Sequence, residues 1–129
     1  MERLPRHFDR EAKVLKAVGI QRWQQLCEVS DATLRHLAQQ SLASEARLLR
    51  LRAQARLIVA LELPDEAAAL LLHGGIPDVA SLAAAQPEDL LRRLQRLERS
   101  LLQGKARLTA SDLHRWIAAA RRHTGRSGN

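Results

Sequence analysis

Cysteine is almost missing from the chain: Cys27 stands alone, so no internal disulfide can form and a reducing compartment fits. Tyrosine is absent, and Phe8, Trp23 and Trp116 are the whole aromatic content. That scarcity argues against single-strand binding by base stacking. Long apolar runs are missing too. The stretch LIVALEL, residues 57–63, is far shorter than the ~20 residues that span a bilayer. The opening MERLPRHFDREAK has no apolar run of the signal-peptide kind. The expectation is a soluble, cytoplasmic protein.

The motifs of common chemistries are equally scarce. His7, His36, His73, His114 and His123 are scattered, and Cys27 has no partner thiol for a metal set. Neither a phosphate-binding Walker loop nor a dinucleotide glycine fingerprint occurs. HGGI, residues 73–76, resembles an oxyanion-hole glycine stretch, but no Gly-x-Ser-x-Gly elbow accompanies it. The carboxylates fall mostly where helices begin, where they complement the helix dipole. The expectation is therefore no enzyme, no cofactor and no metal.

What is present is leucine, alanine and arginine. Hydrophobic residues make up 46% of the 129, enough for a core. Leu and Ala favour helix, and the β-branched residues are few, so the class is all-α. The net charge is +7, and only Lys13, Lys16 and Lys105 among the 21 basic residues are lysines. A basic balance attracts polyanions. GC-rich codon usage produces the same Arg, Ala and Leu enrichment without any such partner.

The chain carries an internal repeat. VLKAVGIQRWQQLCEVSDATL (14–34) aligns without gaps on LLLHGGIPDVASLAAAQPEDL (70–90). Gly19 falls on Gly75, Ile20 on Ile76, Leu26 on Leu82 and Leu34 on Leu90. Each copy reads as a helix ended by glycine, a turn, a short helix, a polar cap and a third helix. Ser30 with Asp31 opens that third helix in one copy, and Gln86 with Pro87 in the other. A closing helix follows each copy. Ser44 caps the first, with Leu48, Leu51, Ala55 and Ile58 at helical spacing. Thr109 and Asp112 form a capping box for the second, with Leu113, Trp116, Ile117 and Ala120 facing inward. Pro64 marks the seam. The expected organisation is a first unit at 1–63, a second at 64–124 and a disordered tail at 125–129, with eight to ten helices around one shared Leu/Ala core.

The pattern carried by Leu15, Gly19, Ile20, Leu26 and Leu34, and again by Leu71, Gly75, Ile76, Leu82 and Leu90, resembles the helix-hairpin-helix class. It is most similar to the version in the C-terminal domain of the bacterial RNA polymerase α subunit. Over residues 10–122 the chain resembles domain of unknown function 4332, a family common in cyanobacteria. Members of that family look like two hairpins in tandem with a Trp-Ile-x-x-Ala closing helix, here RWIAAA, Arg115 to Ala120. The resemblance to the hairpin class implies binding of DNA without sequence preference, through turn amides that meet phosphate. The binding type reads Gly-hydrophobic-Gly, and neither copy has the second glycine. Gly19, Gln21 and Arg22 keep a turn that can accept a phosphate. Pro77 removes an amide from the second turn and Asp78 repels phosphate, so that turn is structural.

Charge is distributed unevenly. Residues 64–89 hold five acids and no Lys or Arg, whereas 90–129 hold ten basic residues and two acids. In DLLRRLQRLERSLLQ, Leu90, Leu94, Leu97 and Leu101 share one face, and Arg92, Arg96 and Arg99 lie opposite. Lys105, Arg107, Arg121, Arg122 and Arg126 extend this ridge if the closing helix packs beside it. The expected function is a non-catalytic module that binds DNA or RNA irrespective of sequence. Its contacts are Arg92, Arg96, Arg99, Arg107, Arg121, Arg122 and the first turn. Three other readings stay open: a solvated helix face, a protein partner or second copy of complementary charge, and an anionic membrane surface met by the basic closing helix.

Overall fold

A computed structural model describes residues 8–41, 43–101 and 108–127. Eight helices account for about three quarters of them, and no strand occurs among the described residues. In chain order they are α1 (Asp9–Ala17), α2 (Trp23–Cys27), α3 (Asp31–Gln39), α4 (Glu45–Leu61), α5 (Asp65–His73), α6 (Val79–Ala83), α7 (Pro87–Leu101) and α8 (Ala110–Ser127). The all-α class expected from composition is the class observed.

The two copies fold alike at their turns. Gly19 has φ 85° and Gly75 φ 86°, the left-handed region that a Cβ resists. The Ile20 amide reaches back to the Leu15 carbonyl at 2.8 Å, and the Ile76 amide to the Leu71 carbonyl at 2.9 Å. This six-to-one bond behind a left-handed residue satisfies carbonyls that a helix end leaves open. Gly74 answers a different demand. A Cβ there would lie 2.5 Å from Leu94 Cδ2, and Leu94 is fully buried. The two glycines of HGGI therefore serve packing and backbone conformation in turn.

Side-chain caps start the helices where the sequence places them. Ser30 Oγ accepts from the Thr33 amide at 3.1 Å, and Ser44 Oγ from the Arg47 amide at 3.3 Å. Asp78 Oδ1 accepts from the Ser81 amide at 2.8 Å, and Gln86 Oε1 from the Asp89 amide at 2.8 Å. Thr109 and Asp112 exchange bonds of 3.1 and 3.3 Å, a reciprocal capping box. α8 then runs through Gly125 to Ser127, where the sequence reads as a disordered tail. Extending an existing helix adds one bond per residue ordered, so a single glycine near its end does not stop it.

α4 is the strut of the molecule. It packs against α2, α3, α5, α6 and α8. At 17 residues it is about 25 Å long, enough to run through both halves. The shared core takes the form of two clusters that meet on it. Phe8, Leu15, Trp23, Leu26 and Leu34 close the first with Leu48, Leu51 and Ala55 of α4. Leu71, Leu82, Leu90, Leu94, Leu113 and Ile117 close the second with Leu57. Ile58 packs against both. The seam expected at Pro64 thus lies a turn or more earlier in packing terms: Pro64 is the N-cap of α5, but Leu57 and Leu63 already belong to the second cluster. α4 ends at Glu62 in the left-handed region, φ 54°, and the Leu63 amide bonds the Ile58 carbonyl at 3.2 Å. It is the glycine-type ending of α1 and α5, built without glycine.

Candidate nucleic-acid interface

α7 buries one face and shows the other. Leu90 and Leu94 are inside, Leu97 is half-buried, and Arg92, Arg96 and Arg99 are exposed. Arg92 pairs with Asp89 one turn back. Arg96 and Arg99 make no hydrogen bond or ion pair with a described residue. Arg93, their neighbour, is used structurally: its guanidinium donates to the Gly74 carbonyl at 2.7 Å and ties α7 to the turn.

The closing helix does not simply lengthen this row. Leu108, just ahead of α8, is clasped by the far end of α7: its amide donates to Glu98 Oε1 at 2.9 Å and its carbonyl accepts from Gln95 Nε2 at 3.1 Å. Arg121 lies at the other end of α8, roughly 18 Å along the axis from Thr109. There its Nε donates to the Ala83 carbonyl of α6 at 3.0 Å. Arg121 thus caps the short helix, with part of its donor capacity committed. Arg122 is exposed on the rim of an open groove with Val59, Glu62 and Ala119. Arg107 lies outside the described residues.

The first turn is occupied from within. The Gln21 and Arg22 amides, the pair a phosphate would take, both donate to Gln25 Oε1, at 2.9 and 3.0 Å. Gly19 is exposed but supplies conformation, its own amide bonding Lys16 at 3.0 Å. Gln25 closes this site because its amide oxygen, three residues past Arg22, reaches back over the start of α2. In the second turn Asp78 is spent on capping α6.

Three buried charges escape sequence reading. Glu11 is fully buried in α1 and accepts from the Ser44 amide at 2.9 Å, holding the start of α4. Glu98 does the same for the approach to α8. Arg52 of α4 is 7% exposed, donates to the Val29 carbonyl at 2.9 Å and pairs with Asp31. All three sit among ordinary solvated charges in the sequence, with no local signal that marks them. Cys27 is half-buried and gives its thiol proton to the Gln24 carbonyl at 3.1 Å, while Trp23 is buried and Trp116 half-buried against the second cluster. Among the described residues no cluster of His, Cys, Asp and Glu is arranged to hold a metal ion, and no helix is long and apolar enough to cross a membrane.

A model of the domain of unknown function DUF4332 matches residues 5–123. The chain belongs to the DUF4332 family. No curated protein and no solved structure matches it. The DUF4332 match runs across both glycine turns and both closing helices.

Proposed function

We propose that this chain is a non-catalytic module that binds nucleic acid irrespective of sequence, through the arginine face of α7. The observation that carries the reading is the state of Arg96 and Arg99. They are exposed and held on a helix anchored by buried Leu90 and Leu94, and they engage no acid among the described residues. Arg92 flanks them, and the chain as a whole carries +7. Guanidinium forks in such a row suit phosphate oxygens, and phosphate contacts give affinity without sequence information. Arg122 and Arg121 are accessory contacts at most, since one borders a separate groove and the other caps α6. The first turn contributes nothing while Gln25 fills it. The lone half-buried thiol suits the reducing cytoplasm.

The test is fluorescence anisotropy on labelled DNA and RNA across a salt series, with wild type and the R92E/R96E/R99E variant. Binding that weakens steeply with salt and disappears in the variant supports the reading. Absence of binding at low salt overturns it. Salt-tolerant capture of one defined protein would instead place the same arginines in a protein interface, and flotation with anionic liposomes would place them at a membrane.

A further inference from the structure

We infer that the α7 row takes double-helical nucleic acid in preference to single strands; this rests on the nucleic-acid reading above and narrows its substrate. Two independent features of the molecule lead there.

The first is the spacing of the cations and the rigidity of the helix that carries them. Arg92, Arg96 and Arg99 lie at i, i+4 and i+7 on one face of a 15-residue helix. Successive members stand about 5–6 Å apart at Cβ, and the row spans about 10 Å. α7 cannot easily flex under them. Leu90 and Leu94 are sealed in the second core, Arg93 pins its middle to Gly74, and Glu98 with Gln95 grips the chain at Leu108. A row of attachment points fixed on one helix face suits a polymer whose phosphates are already fixed. A duplex presents one charge per ~1.7 Å of axis in a set geometry. A single strand would have to be ordered to meet the same row, at an entropic cost.

The second is that nothing compensates a single strand for that ordering. Sequence-tolerant single-strand sites stack bases on exposed rings. Here Phe8 is 5% and Trp23 7% exposed, both inside the first core, and Trp116 packs against the second. No tyrosine exists in the chain. The exposed large hydrophobics among the described residues are Val18, just past α1, and Val59 on α4, and neither has a π-face. α7 itself carries no aromatic ring on which an unstacked base could stack.

The experiment compares a short mixed-sequence duplex with a non-pairing homopyrimidine strand of equal length, by anisotropy over a salt series. The duplex is expected to bind several-fold tighter, with a log–log salt slope of about −2 to −3 from two or three phosphate contacts. R96E/R99E should lower both affinity and slope. R96K/R99K, which keeps the charge, should retain most of the slope. Circular dichroism confirms that these exposed substitutions leave the fold intact. Equal or tighter binding of the single strand overturns the duplex preference and leaves the nucleic-acid reading standing. Binding of neither removes both.

Discussion

Arg56 and Arg121 occupy the same position in the two halves. Arg56 Nε donates to the carbonyl of Cys27, the last residue of α2, at 3.3 Å; Arg121 Nε donates to that of Ala83, the last residue of α6, at 3.0 Å. Each lies the same distance past the cap of its closing helix, Ser44 in one case and Thr109 in the other. A helix end leaves carbonyls open, and a cation there meets both the hydrogen-bond need and the dipole. Arg56→Ala and Arg121→Ala should each cost about 1 kcal/mol. The sites share no partner, so the double variant should show an additive loss in urea unfolding.

The glycines of HGGI should fail in distinguishable ways. Gly74→Ala places a Cβ against Leu94, which is fully buried and cannot yield freely, for a loss of about 1–3 kcal/mol from overpacking. Gly19→Ala meets no atom within 4 Å and bears only the cost of its positive φ, about 1 kcal/mol. Denaturant midpoints that rank the two the other way would contradict the packing.

Glu62 is the site for a gain. It holds φ 54° on an exposed residue, where glycine is conformationally at ease. Glu62→Gly should raise stability by about 0.5 kcal/mol, the relief of strain being partly offset by greater freedom of the unfolded chain. Thermal unfolding of the purified variant reads the sign directly.

Glu11 and Glu98 should behave as structural acceptors. Glu11→Ala strands the Ser44 amide and Glu98→Ala the Leu108 amide, each for about 1–3 kcal/mol. Hydrogen exchange should speed at Ser44 in the first variant and at Leu108 in the second, not across the whole chain.

Asp112 gives a pH signature. The Thr109 side chain, the Thr109 amide and Arg115 hold its carboxyl below the usual range. A carboxyl depressed in the folded state stabilises above its unfolded pKa of about 3.9, and that contribution is lost as pH falls through the folded value. The stability difference between wild type and Asp112→Asn should therefore be flat near neutrality and shrink as the pH drops below about 4. A difference that grows with acid would reverse the assignment.

The residues of the candidate interface illustrate what is legible in a sequence. The exposure of Arg92, Arg96 and Arg99 follows from leucines at spacings of four and three, because a helix that buries one face must show the other. The separate employment of Arg121 does not follow, since its acceptor, the Ala83 carbonyl, lies 38 residues away in the chain. The occupied first turn lies between these cases. Gln25 is close in sequence to Gln21 and Arg22, but a glutamine near a helix start is ordinary, and only the folded turn brings its oxygen onto both amides.

The sequence by itself determined the helices, the glycine turns and the doubling of the motif, because caps, left-handed glycines and helical periodicity are local and act within a few residues. The tertiary structure alone decided that α4 carries both clusters and that Glu11, Glu98 and Arg52 are buried. It alone decided that Arg56, Arg93 and Arg121 are taken up by backbone carbonyls. Those outcomes depend on which carbonyls and amides distant segments bring within about 3 Å, and local pattern carries no record of that.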